Sequence, residues 1–244
     1  MALFDLEARK NKCLKLIENY YKGVSLRDAV LDQEISKYID GRRVLDAGCG
    51  SNMEVLAKHA YKTSFAVGLD LEFPDNSKAP NCHGIVGNLE AIPFRDDSFD
   101  LIFSRSVCEH LRNPIKVFQE MKRVLRKNGT LLIATPNKYD YASLIAAITP
   151  HHVHNYVVKG IFGANGYDTF PTYYRINTVK AFKQVASEVQ LQLISIKRVR
   201  HYPYYLMFSP LLFRLGIFYD VVISTLNLDF LQPTLIAVLK KLDQ

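Results

Sequence analysis

The sequence predicts an α/β fold built on a doubly wound, mostly parallel sheet, and three observations carry that expectation. Short apolar runs alternate with helical patterns along most of the 244 residues. Glycines and acidic residues gather where those runs end. Hydrophobic residues make up 48% of the chain and charged residues 23%, which suits one soluble domain, or one with an elaboration, and a sizeable core.

Taken in order, residues 12–40 read as two helices, the second opened by Ser25 as N-cap and ended before Gly41. Apolar runs at 44–47, 65–69, 84–86, 99–103 and 130–134 read as strands of a parallel sheet covered on both faces. In "NPIKVFQEMKRVLRKNGT", Asn113 is a natural N-cap and Pro114 suits the first helical position. Ile115, Phe118, Met121, Val124 and Leu125 form one apolar stripe, and Asn128-Gly129 supplies the stop. Runs at 190–200 and 234–240 complete seven strands.

The net charge of +7 favours anionic partners. Cys13, Cys49, Cys82 and Cys108 lie far apart without CxxC spacing, so they read as reduced thiols of a cytoplasmic protein. The N-terminal segment mixes acids and bases through its apolar residues and lacks the run of a signal peptide.

In a doubly wound sheet, ligands bind beyond the carboxyl ends of the strands. Those ends read Asp46-Ala-Gly-Cys-Gly, Gly68-Leu-Asp70, Gly87-Asn88-Leu89 and Ser104-Arg-Ser106. The glycine turn lets ligand atoms approach the main chain, and its amides can point at a carboxylate. Asp70, 24 residues beyond Asp46, stands where an acid accepts hydrogen bonds from both ribose hydroxyls. The third glycine of a dinucleotide fingerprint is missing, as is the GK[ST] of a P-loop.

The segments "VLDAGCG", "GLD", "GNLEAIPFRDDSFDLIFSRSVCEHL" and "EMKRVLRKNGTLLIATPN" resemble, in that order and spacing, class I S-adenosylmethionine-dependent methyltransferases of the type 11 group. The resemblance covers residues 41–137 and implies a Rossmann-like methyltransferase fold, its last two strands an antiparallel pair, with S-adenosyl-L-methionine as cofactor. It implies that Gly48, Cys49 and Gly50 approach the methionine part, that Asp46 orders the turn and the amino group, and that Asp70 holds the ribose, with Leu71 beside the adenine. Asn88 and Leu89 would meet the adenine edge; the family more often has Asp at position 88. Ser104 and Arg105 would border the transferring methyl group. Asn128 replaces a proline common in the family, a change expected to matter little at a helix stop.

A sulfonium methyl is already activated, so in-line displacement mainly needs the acceptor positioned and water kept out. Some acceptors also need a base. His110 in "CEHL" is the nearest candidate, and packing within a helix is the competing role for it. The strand-end sequence Ser104-Arg-Ser-Val lacks the [DN]-P-P-[YF] element of base amino-group methylases.

Residues 138–177 insert about forty residues where a bare connection needs about 2–6. The domain reading is N-terminal helices over the site at 1–40, a cofactor core at 41–137, a substrate lid at 138–177 and the remainder of the fold at 178–244. His151, His152 and His154 form HHxH without metal-ligand spacing, so a substrate contact or local capping is preferred and no metal is expected. Tyr173, Tyr174 and Arg175 read equally as acceptor pocket or as core and salt bridge.

In "SPLLFRLGIFYDVVISTLNL", Ser209 caps a helix whose Gly216, Asp220, Ser224 and Asn227 share one stripe, with apolar residues nearly everywhere else. Two readings are open for residues 209–227. The helix is buried between the core and the insertion or at a dimer contact, or it forms a lipid-like acceptor channel or a membrane-surface contact with Arg214 reaching phosphate. The functional classes are a small-molecule, lipid or glycan methyltransferase, an RNA-directed enzyme, and a non-catalytic nucleoside-binding protein. Lys197, Arg198, Arg200, Tyr202, Tyr204 and Tyr205 motivate the RNA reading, against a solvated edge strand. With no appended RNA-binding domain evident, the first class is favoured.

Overall fold

The computed structural model describes residues 2–75, 82–141, 143–144 and 170–243. Among the described residues seven strands are present: β1 Arg43–Ala47, β2 Phe65–Asp70, β3 His83–Val86, β4 Phe99–Arg105, β5 Leu125–Pro136, β6 Gln192–Val199 and β7 Thr234–Lys240. The helices are α1 Ala2–Tyr20, α2 Arg27–Ser36, α3 Glu54–His59, α4 Pro114–Val124, α5 Val179–Glu188 and α6 Pro210–Thr225.

The strands form one sheet in the order β3-β2-β1-β4-β5-β7-β6. β1 pairs in parallel with β2 and β4, β2 with β3, and β4 with β5. Lys241 and Gly129 bond at one end of the β5–β7 pair and Asn137 and Pro233 at the other, so β7 runs antiparallel to β5. The fold class is the one expected, a mixed sheet with antiparallel C-terminal strands. Chain order reverses between β1 and β4, which opens a crevice at their carboxyl ends.

The largest core cluster joins Leu45, Ile102 and Leu131 of the sheet to Phe118 and Met121 of α4 and Phe182 of α5. Val117 shares the buried face of α4, which makes the stripe wider than the sequence pattern suggested. Thr178 caps α5 by accepting the Ala181 N–H at 3.1 Å. Asn113 stands at the cap position of α4, but its side chain bonds Glu90 instead, at 3.0 Å.

The expected stop at Asn128-Gly129 is displaced. α4 ends at Val124, because Leu125 is already extended and paired with Phe99. The next pair is Leu101 with Thr130, so residues 126–129 bulge from the register. Asn128 supports the bulge at φ 59°, donates its N–H to Lys241 O at 2.8 Å and bonds Asp243 through its side chain at 2.9 Å.

The chain divides into two compact units. One contains Leu31–Pro136, Tyr173–Lys197 and Leu235–Gln244, and therefore most of the sheet. The other contains Met1–Val30, Asn137–Thr172 and Arg198–Thr234. Within this second unit α1 packs on α6, and Cys13 and Tyr21 meet Met207, Phe213 and Ile217 in a separate core. Arg200 donates to Asp220 at 2.6 Å, and its guanidinium lies 5.6 Å from the Tyr21 ring centre. Ser209 accepts the Leu212 N–H at 3.4 Å, as the cap reading required. Among the described residues no helix is long and apolar enough to cross a membrane.

The bulge yields a test of its own. Asn128→Pro removes the N–H bonded to Lys241 and demands negative φ, so it should cost about 3 kcal/mol or more, measured by urea denaturation. Asn128→Gly should change stability by less than about 1 kcal/mol.

Candidate functional site

The turn after β1 is tied to the end of β2. Gly48 N–H and Cys49 N–H both donate to Leu69 O, at 2.8 and 3.3 Å. Gly50 N–H donates to Asp70 Oδ2 at 2.7 Å, and Glu72 N–H to Asp70 Oδ1 at 3.1 Å. The three turn amides are thus engaged within the protein instead of pointing at a ligand carboxylate. Asp70 keeps lone pairs for further donors, since an ionised carboxylate has about four acceptor sites.

Glycine is required in this turn for two separate reasons. Gly48 has φ 82° and Gly50 has φ 65°, a region L side chains avoid. A Cβ on Gly48 would also lie 2.2 Å from Val107 Cγ2, whereas one on Gly50 would meet nothing within 4 Å. Gly68 is constrained by packing, because a Cβ there would lie 2.7 Å from Cys49 Sγ and 2.9 Å from Met53 Sδ. Cys49 therefore fills the space over β2. Burial raises its thiol pKa, so it stays protonated near neutrality.

Asp46, at the end of β1, is 3% exposed. Burial pushes its carboxyl up to about 8; Arg105 opposes that shift and Asp70 adds to it. An acid so poised gains from an arriving cation. Together the Cβ-free turn, the buried acid and the accepting Asp70 fit a cationic, ribose-bearing group such as S-adenosylmethionine.

Asn88 and Leu89 follow β3. The Asn88 side-chain oxygen accepts the Glu90 N–H at 2.9 Å, so part of its capacity is spent on its own turn. The Leu89 side chain joins the main core, while Leu71 is 58% exposed. Arg123 holds this loop by donating to the carbonyls of Ile92 and Phe94, at 2.9 and 2.8 Å.

At the end of β4, buried Ser104 donates its hydroxyl to Ala47 O at 2.6 Å, joining the two central strand ends. Arg105 bonds Glu54 at 3.0 Å. His110 lies in a one-turn 3-10 helix, Cys108–His110, with Nε2 4.0 Å from Glu109 Oε1. Tyr173 and Tyr174 N–H groups both donate to Glu109 O, at 2.6 and 3.2 Å, which brings this segment onto the His110 turn. The Arg175 guanidinium lies 5.7 Å from the Tyr173 ring centre. His151 and His154 lie outside the described residues.

Thr135 and Asn177 escaped the sequence reading, and they converge on the carboxyl of Glu109 from "CEHL". Thr135 donates its hydroxyl to Glu109 at 3.1 Å, and the Asn177 amide donates to Thr135 at 2.7 Å. All three are buried. The strand-end rule applied to "ATPN" at the end of β5 would have flagged Thr135, whereas Asn177 carries no local signal. Among the described residues no group of three His, Cys, Asp or Glu side chains is placed to hold a metal ion.

Gly48→Ala should destabilise the protein by about 1–3 kcal/mol through strained φ and collision with Val107. Adding Val107→Ala should recover only part of the loss, because space is restored and φ is not; urea titration of both variants checks this.

The methyltransferase-domain family model matches residues 45–133. A Mycolicibacterium smegmatis protein named "probable S-adenosylmethionine-dependent methyltransferase" is 31% identical over 131 residues, covering 51% of this chain and 49% of the relative. A tRNA U34 carboxymethyltransferase of Pseudoalteromonas translucida is 33% identical over 110 residues, covering 40% of this chain and 33% of the relative. The S-adenosylmethionine-dependent methyltransferase structure from Mesorhizobium loti shares the fold at TM-score 0.60 and 15% identity, over 87% of this chain and 97% of that one. The chain spans about half the length of the first curated relatives it matches. The matched segment runs from β1 to β5, so over residues 45–133 the chain is similar to the methyltransferase-domain family.

Proposed function

We propose that the chain transfers a methyl group from S-adenosylmethionine to a small-molecule, lipid-like or glycan acceptor, with positioning as the main catalytic factor. The observation that carries the reading is the pair of acids at the β1 and β2 ends: Asp46, buried with its pKa raised to about 8, and Asp70, bonded to the glycine turn. When bound, the cofactor supplies an activated sulfonium methyl. Asp46 faces the ligand's positive charge, Asp70 takes the ribose hydroxyls, and Gly48 and Gly50 keep the approach clear.

On the acceptor side, His110 is the base for acceptors that must lose a proton, and buried Glu109 stands beside it. Tyr173, Tyr174 and Arg175 form the described part of the acceptor wall, with His151 and His154 assigned to the same role. A peripheral location at a membrane, through residues 209–227, belongs to this reading.

The RNA-directed alternative draws on the tRNA-modifying relative and on the basic, aromatic run from Lys197 to Tyr205. Two cations of that run are engaged: Lys197 bonds Glu34 at 2.6 Å, and Arg200 bonds Asp220 at 2.6 Å. Tyr202 and Tyr204 pack against a core. These engagements favour the first reading.

Calorimetry with S-adenosylmethionine tests the proposal. Asp70→Ala should weaken binding about 10–100-fold. A cationic ligand favours ionised Asp46, so below about 8 binding releases a proton and affinity rises with pH, levelling above that value. Asp46→Asn should flatten the profile. Absence of binding to the intact protein at millimolar cofactor would defeat the proposal.

A further inference from the structure

The amphipathicity of α6 is reversed relative to an ordinary surface helix. Its buried residues include Gly216 and Asp220, both on the polar stripe, together with Phe213, Ile217 and Ile223. Its outward face is apolar: Leu211 is 70% exposed, Leu215 57%, Phe218 67% and Val221 44%. A helix free to roll would bury these residues and expose Asp220.

Two contacts prevent the roll. Asp220 is 4% exposed and accepts from two Arg200 nitrogens, Nη2 at 2.6 Å and Nε at 3.3 Å. At Gly216 a Cβ would lie 2.6 Å from Pro203 Cβ and 2.8 Å from its Cγ, so the helix backbone lies against the Pro203 ring there and a side chain would collide with it. Turning the helix would break the ion pair and drive side chains into Pro203. The apolar face is therefore held outward by the packing beneath it.

We infer that this face docks onto an anionic lipid bilayer, lying in the plane of the headgroups. The helix has 16 residues, about 24 Å at the α-helical rise, which is too short to span the hydrocarbon. Leucine, phenylalanine and valine dominate its outward face, the composition of interfacial membrane helices, whereas protein hot spots favour tryptophan, tyrosine and arginine and are poor in leucine. Charge agrees. Asp220, the only acid of α6, is turned inward, and exposed Arg214 interrupts the apolar face. Arg9, Lys10, Lys12 and Lys15 are exposed on α1, which packs beside α6; among the residues of α1 whose side chains are described, Glu7 and Glu18 are the exposed acids. This inference rests on the lipid-like acceptor reading for its purpose and on the geometry of α6 for its evidence.

The test is cosedimentation of the full chain with phosphatidylcholine vesicles, with and without phosphatidylglycerol. Binding is expected to the mixed vesicles and to weaken with salt. Arg214→Glu should lower the partition coefficient at least about tenfold. The double variant Leu215→Ser/Phe218→Ser should abolish binding while keeping the unmodified protein's circular dichroism and urea midpoint. Unaltered binding by that double variant, or no binding by the unmodified chain, overturns the inference. So does a self-association in sedimentation equilibrium that the same variant disrupts, because the face would then meet a second copy. Cofactor calorimetry without vesicles reads the methyltransferase proposal separately, so a failure of lipid binding with cofactor affinity intact sinks only the docking surface.

Discussion

The Gly50 N–H to Asp70 carboxylate bond, 2.7 Å long, is the constraint on which the candidate site depends. It joins the turn after β1 to the end of β2 and acts with the Leu69 carbonyl, which takes the two preceding amides. Strand ends that would otherwise diverge are held in one arrangement before any ligand arrives. Such pre-organisation lowers the ordering cost of binding. The same bond would give Asp70 two duties under the proposed function, because the carboxylate that shapes the turn is also the one proposed to take the ribose hydroxyls.

The turn draws the surrounding packing around it. Cys49 lies over Gly68 and leaves no room for a Cβ there, while Val107 occupies the space above Gly48. Ser104 then links the end of β4 to that of β1 through the Ala47 carbonyl. Water is excluded from Asp46, and that exclusion raises its pKa. Packing and electrostatics are thus one device, since the contacts that rigidify the turn also make the acid responsive to a cation.

The second unit obeys a different logic. The partly buried Arg200–Asp220 pair contributes little net stability against its desolvation, but losing Arg200 would strand the buried charge of Asp220. Its effect here is orientational. The pair and the close approach at Gly216 choose which side of α6 meets solvent, overriding the hydrophobic preference of the helix taken alone.

The amino-acid pattern by itself determined where the strands lie, though not the early start of β5 at Leu125, together with the seven-stranded class and the acids and glycines at the strand ends. Those features are local: an apolar run a few residues long, a glycine turn and an acid at a strand end need no distant partner to be recognised. Tertiary structure alone decided how the polar groups are used. Asn113 leaves its cap for Glu90, Asn128 takes positive φ because the chain just past β7 supplies the Lys241 carbonyl, and Asn177 reaches Thr135 across 42 positions of sequence. It also decided that the polar stripe of α6 faces inward, because Pro203 and Arg200 lie outside that helix. A hydrogen-bonding group or helix face takes whichever partner the folded chain delivers, and that partner is seldom a neighbour in sequence.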